Sequence, residues 1–194
     1  MIYVQDGNKQ ERDKYAEIWN EIPEYKLVSP GLQNVDRFLK VMKPSLGETL
    51  IDIGCGQGKA GLEFEKHDLR VWYLDITRAG ILPEVNVSKF IEKPIWGDWK
   101  YPVSNFKFDY GFSCDVLEHI PPEYTMLCLD RIIKNCRISW LQIALVEDGM
   151  GDSIGEKLHM TVRPFDWWLT RLATLGNIIE ARDLLEQGLY VVSK

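Results

Sequence analysis

The chain predicts an α/β protein built on a doubly wound parallel sheet, and three observations carry that prediction. Apolar stretches of strand length alternate with helical or irregular ones from about residue 49 to residue 146. The first of them, Leu50-Ile51-Asp52-Ile53, breaks into Gly54-Cys55-Gly56-Gln57-Gly58 and then into a helical pattern. Asp52, Asp75, Asp98 and Asp115 fall at or near the carboxyl ends of expected strands, where ligands sit in such sheets.

Tyr15, Ile18, Trp19 and Ile22 recur at helical spacing, as do Leu32, Val35, Leu39 and Met42, with a break at Ser29-Pro30-Gly31. Two helices therefore precede the sheet. Pro44 and Gly47 end the second, and the first strand runs from about Thr49 to Ile53. Ala60, Leu62 and Phe64 suit a helix packed on the sheet. Leu69 to Leu74, Lys89 to Trp96, Phe108 to Ser113 and Ile138 to Val146 read as the strands that follow. Pro121 and Pro122 open a helix carrying Tyr124, Leu127 and Ile132, since a first turn tolerates proline. Asp148 to Gly155 holds three glycines in eight residues and reads as a mobile loop. Pro164 opens a further helix whose Phe165, Trp168, Leu169 and Leu172 form a core stripe. Asn177 to Ala181 and Leu189 to Ser193 are the closing segments.

A chain of 194 residues with 45% hydrophobic content can bury one sizeable core. The expected organisation is one domain over 1–194, with a helical cap at 1–46 and the sheet-bearing core at 47–194. Neither a signal sequence nor a membrane-spanning run is evident, so a soluble cytoplasmic protein is expected, as monomer or homodimer, with no membrane partner. Cys55, Cys114, Cys128 and Cys136 lack Cys-x-x-Cys spacing and read as free thiols, and no metal ligand set is expected. The formal charge of −6 disfavours broad nucleic-acid binding, which needs clustered cations; Lys134, Arg137, Arg163 and Arg171 are the candidates for a local patch.

The glycine turn suits two cofactor classes. Gly54, Gly56 and Gly58 allow a ligand close to the backbone, and the helix that follows would present unpaired N–H groups. Gly56-Gln57-Gly58-Lys59-Ala60-Gly61 satisfies the dinucleotide pattern literally. A pyrophosphate, however, is opposed by the Asp52 charge ahead of the turn, whereas a ligand carrying an ammonium and a sulfonium is favoured by it. Asp75, seventeen positions after Gly58, can accept both ribose hydroxyls of either cofactor, or cap the next helix.

In these features the chain resembles the class I S-adenosylmethionine-dependent methyltransferases. Leu50 to Gly58 is similar to their first motif, Val71 to Asp75 to their acidic second strand, Gly97-Asp98-Trp99 to their adenine-side segment, and Phe108 to Glu123 to their fourth-strand motif. Asp115-Val116-Leu117-Glu118-His119-Ile120-Pro121 resembles the small, general-purpose phage and bacterial branch. The resemblance implies a Rossmann-like, seven-stranded, mostly parallel sheet with helices on both faces and an antiparallel C-terminal strand pair. It also implies S-adenosyl-L-methionine as cofactor and S-adenosyl-L-homocysteine as product. The donor wall would comprise Asp52, Gly54, Cys55, Gly56, Gly58, Asp75, Ile76, Asp98, Trp99, Asp115 and Val116. Asp52 would face the methionine ammonium, Asp98 the adenine amino group and Trp99 the purine face.

Methyl transfer from a sulfonium is an in-line displacement that chiefly needs alignment and dryness, with a base only where the acceptor starts protonated. His159, His119 and Asp115 are the catalytic candidates, with Glu118 beside them. Arg163 and Trp167 are the substrate candidates, since polar and aromatic groups beside a mobile loop suit an acceptor pocket. Tyr15 and Trp19 would serve as a lid or as core. Val116 and Leu117 stand where base-amine methyltransferases carry prolines, and Cys114 lacks the Pro-Cys context of a nucleophile. The leading expectation is transfer to an oxygen or nitrogen of a small or medium polar acceptor. A nicotinamide-dependent oxidoreductase, a non-catalytic S-adenosylmethionine-binding module and a nucleic-acid methyltransferase are the alternatives.

Overall fold

The structure is a computed structural model describing residues 3–101 and 106–194. Helices α1 (Tyr3–Glu21) and α2 (Pro30–Met42) precede strand β1 (Thr49–Ile53), helix α3 (Lys59–Lys66) and strand β2 (Arg70–Asp75). Strands β3 (Phe90–Glu92) and β4 (Phe108–Cys114) follow, then α4 (Thr125–Asn135), β5 (Cys136–Ala144), α5 (Phe165–Ala173), β6 (Asn177–Asp183) and β7 (Gln187–Ser193). The seven strands form one sheet in the order β3-β2-β1-β4-β5-β7-β6. Neighbours from β3 to β5 run parallel, and β7 lies antiparallel to both β5 and β6.

Side-chain alternation sorts the core to the two faces of the sheet. Leu50 points with Val71, Tyr73, Phe112 and Trp140 to the face covered by α2 and α3. Ile51 and Ile53 point with Leu74, Leu141 and Val192 to the face covered by α4 and α5. Phe38 of α2 is fully buried and meets Phe64, Tyr110, Phe112 and Trp140 edge-on at centroid distances of 5.0 to 5.6 Å. Burying one such ring contributes about 1.5–3 kcal/mol, which fixes α2 on the sheet. Ser29 starts α2 by accepting the Leu32 amide at 3.4 Å, with Pro30 next in line, and Lys43 in the left-handed conformation ends it.

The third strand is shorter than its apolar run over Lys89 to Trp96 predicts. Pro94 has no N–H to continue the ladder, and a turn follows in which the Gly97 amide donates to the Pro94 carbonyl at 2.7 Å. The chain returns from β3, at one edge, to β4 beside β1. The strand order therefore reverses between β1 and β4, which opens a crevice at their carboxyl ends.

Candidate active site

The loop after β1 bends sharply because Gly54, Gly56 and Gly58 all hold positive φ, at 70°, 52° and 79°. Side chains would not fit at any of the three, a Cβ on Gly58 lying 2.6 Å from Val85. A Cβ on Gly54 would lie 2.5 Å from Val116, and one on Gly56 would lie 2.8 Å from the Trp19 indole. Part of the loop that the sequence suggests is open is closed by hydrogen bonds from within the protein. Gly54 and Cys55 donate to the Leu74 carbonyl at 2.8 and 3.1 Å, and Gly56 donates to Asp75 Oδ2 at 2.8 Å. Asp52 reaches across to accept the Gly61 amide at 3.0 Å, capping the first turn of α3 from the end of β1.

These carboxylates sit in a dry environment. Burial raises the Asp52 pKa to about 7, offset in part by the Gly61 N–H and reinforced by Asp75. Asp75 is pushed up by burial to about 6, against its bonds from Gly56 and Thr77. The Cys55 and Cys114 thiols are pushed well up, by burial first and by neighbouring carboxylates second, so both stay protonated.

Three adjoining cavities meet at the carboxyl edge, and Asp115 and Tyr25 line all of them. The first, of about 590 Å³, has Gly54, Gly56, Asp75, Ile76 and Val116 for one wall and Tyr15 and Trp19 of α1 for another. The second, of about 690 Å³, adds Asp52, Cys55 and Cys114. The third, of about 610 Å³, is bounded by His119, Val146, Asp148, His159 and Gln187. Asp115 follows β4 with φ at 60°, an uncommon conformation for a residue with a side chain, and its amide donates to the Gln142 carbonyl at 3.0 Å.

His119 and His159 meet at the third cavity with ring centroids 4.6 Å apart and nearly perpendicular planes. Burial, then His159 and Lys14, push the His119 pKa down to about 3, so its imidazole stays neutral. His159 is held by Val146, whose carbonyl lies 2.6 Å from Nδ1. Glu118 is fully buried, and one of its oxygens accepts the Ala144 amide at 2.8 Å. Burial first, and Asp115 second, push its pKa up from the ordinary value. The Thr161 amide donates to the Glu118 carbonyl at 2.8 Å, tying the His159 segment to the segment after β4.

Five expected site residues do not line these cavities: Gly58, which faces Val85 and Ile81, and Asp98, Trp99, Arg163 and Trp167. Trp99 is only 2% exposed, packs in the core under β3 and β4, and donates its indole N–H to the Ile95 carbonyl at 2.6 Å. The Asp98 side chain is 77% exposed and pairs with Arg131 at 3.7 Å. The turn at Pro94 brings Ile95 and Trp96 to the first cavity instead, with Trp96 stacked on Tyr124 at 4.9 Å. Arg163 and Trp167 are not among the residues lining these cavities. Arg163 donates to its own neighbour's carbonyl, at Val162, and Trp167 lies between the Arg163 and Arg171 guanidiniums. Helix α5 buries Trp168 and Leu172, and Trp167 is half-buried at the margin of the same core. Of the basic candidates, Lys134 pairs with Asp130 at 2.7 Å and Arg137 with Asp109 at 3.4 Å.

Sequence reasoning missed Tyr25 and Glu11. Tyr25 lies in a 3-10 turn over Pro23–Lys26, where an aromatic has no periodic neighbour to mark it. Glu11 lies on α1 and pairs with Lys14 at 2.6 Å, a spacing that reads as an ordinary surface ion pair.

The protein has the fold of the class I, Rossmann-like S-adenosylmethionine-dependent methyltransferases. It superposes on the 1,6-didemethyltoxoflavin-N1-methyltransferase of Burkholderia thailandensis with a TM-score of 0.72, covering 98% of this chain and 89% of that one at 14% identity. That enzyme was crystallised with 1,6-didemethyltoxoflavin and S-adenosylhomocysteine. The magnesium protoporphyrin IX methyltransferase of Synechocystis, with bound S-adenosylmethionine, gives 0.64 over 100% and 96% of the two chains at 16% identity. A TehB-like methyltransferase of Corynebacterium glutamicum gives 0.63 over 96% and 99% at 16% identity. No family model matches the sequence, and no curated protein matches it significantly. No helix among the described residues is long and apolar enough to cross a membrane.

Proposed function

We propose that the protein transfers a methyl group from S-adenosyl-L-methionine to an oxygen or nitrogen of a small or medium polar acceptor, with residues 1–46 capping a 47–194 core. One observation carries this reading: Asp52, Asp75 and Asp115, from the ends of β1, β2 and β4, converge on joined cavities floored by a glycine loop. A ligand with an ammonium and a sulfonium offsets that buried negative charge. The solved structures of similar fold that hold S-adenosylmethionine or its product support the same donor. A nicotinamide dinucleotide is disfavoured by the same buried carboxylates, and the Gly54, Cys55, Gly56 and Gly61 amides already donate to Leu74, Asp75 and Asp52.

In this reading the donor lies along the first two cavities and the acceptor enters the third. Asp115 stands where the cavities meet, beside the transferring methyl. His119 and His159 face the acceptor, His119 as a neutral and weakly basic imidazole. A thermal-shift comparison of S-adenosylhomocysteine with NAD tests the donor, because a selective ligand raises apparent stability by mass action. Stabilisation by S-adenosylhomocysteine alone is expected, and stabilisation by NAD alone overturns the reading. Labelled donor incubated with fractionated extract then shows whether label enters small molecules, nucleic acid or protein.

A further inference from the structure

We propose that Glu118, His119 and His159 form a binding site for a divalent transition-metal ion on the acceptor side of the cavity. One donor atom from each of the three lies within 4.8 Å of the others. An ion about 2.1 Å from each ligand asks for donors roughly 3–3.5 Å apart, so small side-chain rotations close the set.

All three side chains are at least nine-tenths buried, at 0%, 7% and 5% exposure for Glu118, His119 and His159. Among the described residues, Glu118 Oε2 has only the Asp115 carboxyl and the His119 ring only the Leu158 backbone as hydrogen-bonding neighbours, and neither contact reaches full hydrogen-bond geometry. Buried polar atoms are rarely left so, and each unmatched one costs about 1–3 kcal/mol. The partnered atoms already act as orienting contacts. Glu118 Oε1 is fixed by the Ala144 amide, which leaves Oε2, beside the Asp115 carboxyl, as the ligand atom. His159 Nδ1–H, donated to the Val146 carbonyl, leaves the Nε2 lone pair as the ligand, the arrangement that metal-binding histidines adopt.

Charge favours the same conclusion. Glu118 has the Asp115 carboxylate beside it, and the buried cation nearby, Lys14, is committed to Glu11 at 2.6 Å. Two imidazoles and one carboxylate suit Zn(II), Co(II), Fe(II) or Mn(II) better than Mg(II), which prefers an all-oxygen shell. Three protein ligands leave coordination positions free, and the third cavity, walled by His119 and His159, gives access to them. The acceptor class this implies is one bearing a hydroxyl or other oxygen that a metal can bind and orient. Metal binding stands on the ligand geometry alone, and only that acceptor role rests on the methyltransferase reading.

The test is a Co(II) titration of chelator-stripped full-length protein, followed by visible absorption, with bound metal counted after gel filtration. One equivalent is expected, displaced by Zn(II) and not by Mg(II). Glu118→Gln and His159→Gln should weaken it by about 100-fold or more, while His67→Gln, an exposed position, leaves it unchanged. In the wild-type protein, imidazole nitrogen resonances of His119 and His159 should shift with Zn(II) while those of His67 do not, which covers variants that fail to fold. Absence of stoichiometric binding, dependence on His67, or unmoved His119 and His159 resonances overturns the site. Binding of S-adenosylhomocysteine, measured separately, decides the donor reading and leaves this one untouched.

Discussion

Asp75 Oδ2 accepts the Gly56 amide at 2.8 Å, so the end of β2 clamps the glycine loop that follows β1. The same carboxylate lines the first cavity with lone pairs to spare, which joins loop geometry to ligand binding in one side chain. Asp75→Ala should therefore weaken S-adenosylhomocysteine binding by about 2–4 kcal/mol, the loss of charge-assisted hydrogen bonds. Isothermal titration checks this, and an unchanged affinity removes Asp75 from the donor site.

Asp52 and Asp75 have folded-state pKa values near 7 and 6, above the unfolded carboxylate value. Each adds stability that is complete below the unfolded value of about 4 and is lost as pH rises through the folded one. Melting temperature should fall from about pH 4 to pH 7 through these groups, and Asp52→Asn should flatten the upper part of that fall. A cationic donor favours the ionised carboxylates, so its binding near pH 6 should release protons. Calorimetry in buffers of differing ionisation enthalpy reads that release.

Asp115 holds φ at 60°, where a side chain is disfavoured by about 1–2 kcal/mol. Asp115→Gly should leave stability in urea unchanged or raise it by up to about 1 kcal/mol while methyl transfer falls sharply. Loss of both together would make Asp115 a structural residue.

Asp98 lies on the surface and Ile95 on the cavity wall. Asp98→Ala should change donor affinity by less than about 0.5 kcal/mol. Ile95→Ala should weaken it by about 1 kcal/mol through lost apolar contact. The reverse ranking, read by the same titration, would return the adenine to Asp98.

The loop after β1 and the acids at Asp52, Asp75 and Asp115 were legible because glycine spacing and strand ends are local signals. So were α1 and α2, from the spacing of Tyr15 to Ile22 and Leu32 to Met42. The partners of the loop amides were not legible, since they come from Leu74 and Asp75 on the neighbouring strand and from Asp52 reaching across the turn. Ile95 and Trp96, rather than Asp98 and Trp99, line the first cavity, next to the turn at Pro94 that sequence spacing does not show. Arg163 and Trp167 line none of the three cavities, because the burial of Trp168 and Leu172, rather than composition, sets how α5 is turned. His119 and His159 are forty positions apart in sequence and join through the Thr161 contact, which no spacing rule reports.

Trp19 packs against the backbone of both Gly56 and Gly80, so that a Cβ at either would come within 3 Å of its indole. The amino-terminal helix is thus latched by the turn at Gly80 and by the loop at Gly56, on which a donor would rest. Occupancy of the crevice and anchoring of that helix become one equilibrium, and limited proteolysis near residues 9–21 offers a label-free gauge of how full the crevice is.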